Sequence, residues 1–284
     1  MAMVKKFPVF EDPREAFNFL REKYPIPNYL DGTEKGNIFI AHLVKRFLPQ
    51  GGRILDLGCG SLTKAALLAL LGYEIHGADD YQDPWHVRDD YVKKLMGFAR
   101  KFGIALKVQD VRHGLEYPEN YFDGCMINDF IEHLHETPRN FLNNAGLVVR
   151  EGGYLFVSMP NAVNLRKRLS VIMGKSNYPA VEMFYHCIGP WRGHVREYTL
   201  PEQDYILRSS GFVLCFSGTY HGMVDRKLKS KFLKHLYKGV CCFFPSMREN
   251  IATVAQKPDG WKAMEGDPEA FRNSMIGSVP KGVE

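Results

Sequence analysis

The sequence predicts an α/β protein built on a mostly parallel sheet with helices on both faces. Three observations carry that expectation. From Arg53 to Ser158, apolar runs of strand length alternate with stretches of helix length, a rhythm that calls for right-handed crossovers between parallel strands. The first run, Ile54-Leu55-Asp56-Leu57, leads into the glycine turn Gly58-Cys59-Gly60 and then a helix. Acidic residues mark the first three strands, at Asp56, Asp79 and Asp110, and a ligand at the carboxyl edge of such a sheet would meet them there.

The elements follow in order. Pro13 starts a first helix over Asp12 to Tyr24, with carboxylates in its first turn, and Pro25 and Pro27 stop it. Ile40, Leu43, Val44 and Phe47 recur at helical spacing in a second helix from Gly36 to Leu48. Strands are expected over 53–57, 73–78, 104–108, 122–127 and 154–158, with helices over 63–71, 91–102 and 137–150. After Pro160 the rhythm changes. A polar, partly helical segment runs to about His194, followed by a helix at 201–210, a strand at 212–218, a basic helix at 226–240 and a last strand at 250–256. This divides the chain into a helical N-terminal cap (1–49), a sheet domain (50–257) and a polar tail (258–284) expected to be mobile. Two insertions interrupt the sheet domain, a lid over 161–200 and a basic helical piece over 221–248.

At 284 residues, 45% hydrophobic and 24% charged, the composition is that of one large globular domain with additions. The formal charge of +5 is small for this length and does not by itself imply nucleic acid. The six cysteines (Cys59, Cys125, Cys187, Cys215, Cys241 and Cys242) form no C-x-x-C pair. They read as reduced, mostly buried thiols of a cytoplasmic protein. Residues 1–10 do not read as a signal peptide, and no apolar stretch reaches a transmembrane length.

The glycine turn carries the strongest chemical signal. Gly58 and Gly60 let the backbone approach a ligand closely, and the start of the following helix suits an anionic group. A nicotinamide fingerprint would want a third glycine at the next-but-one position after Gly60, where Leu62 stands. Asp56 would repel a pyrophosphate. It suits a ligand with an ammonium and a sulfonium, as S-adenosylmethionine has. Asp79, in His76-Gly77-Ala78-Asp79-Asp80, can accept both hydroxyls of a ribose, with Asp80 read as its solvated neighbour. Asp110 can accept from an adenine amine while Val111 packs on the ring. Cys59 reads as a small apolar filler within the turn.

With these motifs the sequence resembles the class I S-adenosylmethionine-dependent methyltransferases, in particular the ubiquinone-biosynthesis-like O-methyltransferase group. Further marks are Tyr121-Phe122-Asp123-Gly124, the stretch Asn128-Asp129-Phe130-Ile131-Glu132-His133-Leu134, and Arg150-Glu151-Gly152-Gly153-Tyr154 with Ser158-Met159-Pro160-Asn161. The resemblance covers residues 50–161 well and extends weakly through Gly193-His194-Val195-Arg196-Glu197-Tyr198. Leu62 in the glycine loop and Glu151 in place of a proline depart from the pattern. The resemblance implies a Rossmann-like seven-stranded sheet with the last strand antiparallel. It also implies cofactor contacts at Asp56, Gly58, Cys59, Gly60, Asp79, Asp110, Val111 and Asn128. The expected reaction is methyl transfer to a small-molecule acceptor, most often at oxygen. An NAD-dependent oxidoreductase and a catalytically silent S-adenosylmethionine-binding protein are the alternatives.

His133 and His194 are the candidate bases, since an imidazole titrates near neutrality; the bland reading is a structural histidine bonded to a backbone carbonyl. His186, Trp191, Arg196 and Tyr198 lie on the lid and are the candidate acceptor contacts, with Arg196 available to an anionic group. Asp129, Glu132 and His133 share one face at i, i+3 and i+4 and, with His186 or His194 added, could ligate a divalent ion, although the expectation is chemistry without metal. In the segment 226–244, Lys227, Lys229, Lys231, Lys234 and Lys238 alternate with Leu228, Phe232, Leu236, Val240, Phe243 and Phe244. Such a helix can lie on an anionic membrane or simply pack on the core.

Overall fold

A computed structural model describes residues 7–83, 90–223 and 230–276. Seven strands form one sheet in the order β3-β2-β1-β4-β5-β7-β6. They are β1 (Arg53–Leu57), β2 (Glu74–Asp79), β3 (Ala105–Val108), β4 (Phe122–Asn128), β5 (Val149–Pro160), β6 (Val213–Tyr220) and β7 (Asn250–Gln256). β1 pairs in parallel with β2 and β4, β2 with β3, and β4 with β5, whereas β7 runs antiparallel to both β5 and β6. The strand order reverses beside β1, so the crevice for a ligand opens at the carboxyl ends of β1, β2 and β4.

The central strands β1, β4, β5 and β7 are largely apolar and buried because both faces of the sheet are covered there, whereas the edge strands β3 and β6 are partly exposed. Ile54, Ile75, Met126 and Phe156 point to one side. There they pack under α1 (Pro13–Lys23), α2 (Glu34–Phe47), α3 (Thr63–Leu70) and α4 (Tyr91–Phe102). Leu55, Leu57, Ile127 and Leu155 point to the other, against Phe141 and Leu142 of α5 (Pro138–Val148) and Leu207 of α8 (Leu200–Ser209). The N-terminal helices share the first of these cores, through Phe17, Leu20 and Val44. The Asp12 carboxylate caps α1 by accepting from the Arg14 amide (2.8 Å), with Pro13 at the first helical position. A reciprocal capping box between Thr199 and Glu202 starts α8.

Two expectations change, at β5 and in the tail. β5 begins at Val149, five residues earlier than the apolar run suggests, because Val149 already pairs with Phe122 and a bulge absorbs the glycines before Tyr154. The segment 161–200, expected to be partly helical and to act as a lid, contains two short helices, α6 (Leu165–Ile172) and α7 (Val181–Tyr185). The tail is anchored: Trp261 stacks on Phe212 at 5.5 Å and donates to the Ser210 carbonyl (2.9 Å), and a helix follows over Pro268–Ile276. The basic segment forms α9 over Lys231–Phe243, while Lys227, Leu228 and Lys229 lie outside the described residues. Cys59, Cys125 and Cys241 are buried, but Cys215 and Cys242 are exposed. No helix among the described residues is long and apolar enough to cross a membrane.

Candidate functional site: two adjoining cavities

At the carboxyl edge of the sheet, a cavity of about 500 Å³ is lined by Asp56, Gly58, Cys59, Gly60, Asp79, Asp110, Val111 and Asn128 together. This is within the size range of small-molecule sites. The glycine turn works differently from a simple anion cradle. Its amides are taken up within the protein: Gly58 and Cys59 donate to the Ala78 carbonyl (2.8 and 3.3 Å) and Gly60 donates to Asp79 Oδ2 (2.9 Å). What the glycines supply is room. Gly58 sits at φ +68°, and a Cβ there would stand 2.2 Å from the Phe130 ring. Leu62 completes the turn in a left-handed conformation (φ 59°) with its side chain fully buried, a strained choice for a non-glycine residue.

The three strand-end carboxylates have distinct surroundings. Burial, aided by the charge of Asp79, pushes the Asp56 carboxyl up to about 7 against the pull of Lys64. Asp79 is held by two amides, from Gly60 and from Tyr81 (2.7 Å). Asp110 makes a two-pronged pair with Arg112 (2.8 and 2.6 Å), which holds its carboxyl at about 2. The Asn128 side-chain oxygen accepts from Ser158 (2.6 Å), and Val111 is buried in the cavity wall. Cys59 packs over Gly77 of β2, and burial lifts its thiol well above the usual range.

A second cavity, about 240 Å³, adjoins the first and shares Tyr29, Ser61, Thr63, Lys64 and Asp129 with it. Lys64 and Asp129 form an ion pair at this junction (3.3 Å). The rest of its wall includes Asn37, Asn164, Lys167, His194, Glu197 and Tyr220. His194 donates from Nδ1 to Glu197 (2.8 Å), and Glu197 is also paired with Lys167. That arrangement leaves Nε2 of His194 as the basic nitrogen, 4.0 Å from Glu132 Oε1.

Glu132 is the most unusual group in the site. It is 0% exposed, neither carboxylate oxygen has a hydrogen-bond partner, and burial raises its pKa well above the usual carboxylate range. Its ligating atoms and those of His133 and His194 all lie within 4.8 Å of one another. His133 donates from Nδ1 to the Arg192 carbonyl (2.8 Å), and burial holds its imidazole below the ordinary value. Asp129, expected to join Glu132 and His133, is turned instead to Lys64 because its backbone is left-handed (φ 53°) and the helix is only a short 3-10 turn.

The lid residues divide. Trp191 lines the first cavity, and the carbonyl of Trp191 accepts from His135 (2.7 Å). His186 is exposed and lines neither cavity. Arg196 is also outside both: it is 65% exposed and pairs with Glu202 at the start of α8 (3.1 Å). Tyr198 is buried in the second core and pairs with Asn161 through the backbone. The residue that fastens the lid is Arg192, which donates to Asp80 (2.7 and 3.0 Å) and to Asp83 (2.6 Å). Asp80 is therefore the lid's anchor and not a solvated neighbour of Asp79. Tyr29, Lys64, Arg192 and Glu197 were not singled out from the sequence. Only the His-x-x-Glu spacing of His194 and Glu197 signals one of them.

Residues 34–214 match a family described as a methyltransferase domain. Among curated proteins, the chain is 28% identical over 167 residues to a ubiquinone biosynthesis O-methyltransferase of Shewanella pealeana, covering 57% of this chain and 61% of that one. It is 28% identical over 113 residues to one of Proteus mirabilis, covering 39% and 43%. The chain thus spans about half the length of the curated relatives it matches. A SAM-dependent methyltransferase structure from Methanosarcina mazei superposes with a TM-score of 0.52 at 17% identity, over 76% of this chain and 97% of that one, a likeness of fold. The matched region includes the glycine turn, the strand-end carboxylates and most of the sheet, and the chain belongs to the methyltransferase-domain family, whose cofactor is S-adenosylmethionine.

Proposed function

We propose that the chain transfers a methyl group from S-adenosylmethionine to a small-molecule oxygen, with the cofactor in the larger cavity and the acceptor in the smaller. The observation that carries this reading is the junction of the two cavities at Lys64 and Asp129, directly beside the strand-end carboxylates. Asp56 and Asp79 would face the cofactor's ammonium and ribose, and Asp110 with Val111 its adenine. Fixing the acceptor oxygen in line with the sulfonium would supply much of the rate. His194, hydrogen-bonded to Glu197 through Nδ1, would take the acceptor's proton at Nε2. The six unpaired cysteines fit a cytoplasmic setting. Incubation with methyl-labelled S-adenosylmethionine and a panel of phenol, catechol, amine and thiol acceptors tests the reading. Transfer to hydroxyl acceptors supports it, and transfer confined to amines or thiols removes the oxygen assignment.

A second reading concerns a metal. The unpartnered, wholly buried Glu132 carboxylate beside two imidazoles is a donor set that fits a divalent cation. Glu132, His133 and His194 would hold the ion, which would supply Lewis-acid activation of an acceptor hydroxyl. Exhaustive chelation separates the two readings: full activity afterwards leaves His194 as a base, and loss restored by magnesium, manganese or zinc makes it a ligand.

A further inference from the structure

Lys64 stands out from its own helix. α3 reads Thr-Lys-Ala-Ala-Leu-Leu-Ala-Leu, so Lys64 is its single charged residue, and it sits in the first turn. A cation there is opposed by the positive end of the helix dipole. Its surroundings add a second cost, since only 21% of the side chain is exposed. Burial works against the charge, but Asp129, Tyr220 and Asp56 outweigh it and raise the pKa above the ordinary lysine value. Neither the helix nor the burial favours a lysine at this position. What the position offers is access to both cavities. They share Tyr29, Ser61, Thr63, Lys64 and Asp129, and among these described residues Lys64 is the one cation. Its ammonium donates to Asp129 Oδ2 (3.3 Å). An ammonium has three N–H donors, so others remain for a ligand.

We propose that Lys64 is a catalytic residue that donates to the acceptor oxygen where the two cavities meet and holds it as an oxyanion. The inference rests on the methyl-transfer reading above. A hydroxyl bonded to a fixed ammonium in a largely buried site ionises more easily, because the charge that develops on oxygen meets a donor already in place. The proton leaves to Nε2 of His194. The oxygen's electron pair then takes the methyl group, and the sulfur keeps the pair of the bond that breaks. Lys64 keeps its own protons throughout, so its part is electrostatic. A lone cation at this place would oppose the binding of a sulfonium, and the carboxylates of Asp129 and Asp56 offset that repulsion.

The test compares two phenols of different acidity as acceptors, with saturating methyl-labelled S-adenosylmethionine in mildly alkaline buffer. 4-Methylphenol titrates near tyrosine, at about 10, and needs help to ionise. 4-Nitrophenol is already ionised in that buffer. Lys64→Gln should lower kcat for 4-methylphenol by at least about 100-fold and for 4-nitrophenol by less than about fivefold. Lys64→Arg, which keeps a cation at the junction, should recover at least about tenfold of the loss with 4-methylphenol. Cofactor affinity of both variants, read by calorimetry, should stay within about threefold of the wild type and reports that they are folded. Equal losses with the two phenols at unchanged cofactor affinity overturn the proposal and leave Lys64 a structural partner of Asp129. Undiminished turnover of 4-methylphenol by Lys64→Gln overturns it as well. Wild-type protein that methylates neither phenol overturns the oxygen reading and this inference with it, before any variant is compared, so the two failures are distinct.

Discussion

The two cavities share a wall but are built in different ways. The larger is lined mainly by the ends of consecutive strands and the turns that follow them, so the sheet itself fixes where Asp56, Asp79, Asp110 and Asn128 stand. The smaller gathers single side chains from α2, the glycine turn, the lid, β6 and β7, and its chemistry hangs on pairs such as His194 with Glu197. Strand ends are rigid and recur at fixed intervals, whereas a site assembled from distant segments depends on how a lid is fastened. Cofactor capture and acceptor chemistry should therefore be separable by substitution.

The largest effect is expected in the smaller cavity. His194→Ala removes either the proton acceptor or a metal ligand, and turnover should fall by about 10²- to 10³-fold. S-adenosylmethionine affinity, read by calorimetry, should stay within about threefold. A parallel collapse of both would show that the two cavities act as one. In the larger cavity, Asp79→Ala should weaken cofactor binding by at least about tenfold, or about 1.4 kcal/mol. It removes the proposed ribose acceptor and also the group that holds the Gly60 and Tyr81 amides. Unchanged affinity would take Asp79 out of the cofactor's site.

A milder test of the same cavity uses pH. With its carboxyl raised to about 7, Asp56 is neutral below that value and charged above it. A cationic ammonium favours the charged form, so cofactor binding lowers this pKa and releases a proton near neutrality. Affinity should accordingly be nearly full above about pH 8 and weaken by up to about tenfold between about pH 8 and about pH 6. Asp56→Asn should flatten that profile. A profile that stays steep in the variant would assign the titration to another group.

The difference between the cavities also explains what the sequence made legible. Strand alternation, the glycine turn and the strand-end acids are local patterns, and they predict the sheet and the positions that come together in the larger cavity. Helix ends were misplaced where pairing overrode periodicity, as at Val149, whose register with Phe122 no local window contains. The tail read as polar because its anchors are a few scattered residues, chiefly Trp261 packed against Gly146 and Gly211 and Met264 bonded to Asn143, whose partners come from distant elements. Asp129, Glu132 and His133 share a face only on an α-helix. The chain forms a 3-10 turn there, and the third member of the cluster, His194, arrives from the lid.

The smallest expected effects fall on Arg192 and Arg196, two of the four arginines in the lid, which sequence position alone cannot rank. Arg196 has the better motif, inside Gly193-His194-Val195-Arg196-Glu197-Tyr198, yet it faces solvent and pairs with an exposed glutamate, the kind of ion pair that contributes little. Arg192 sits four residues earlier in a stretch without a recognisable pattern. It is only one-quarter exposed and makes three charge-assisted hydrogen bonds to Asp80 and Asp83 at the end of β2. Those bonds hold Pro190 and Trp191 against the larger cavity, where both form part of the wall. Releasing them should let the lid lift and cost about three- to tenfold in cofactor affinity for Arg192→Ala, equivalent to about 1 kcal/mol. Arg196→Ala should leave both affinity and turnover within about twofold. Hydrogen exchange across residues 186–194 gives an independent readout, since protection should drop in the first variant and not in the second. If Arg196→Ala proves the more damaging, the lid must close further when the acceptor binds, bringing Arg196 inward, and the fastening at Asp80 would be only the resting position of the lid.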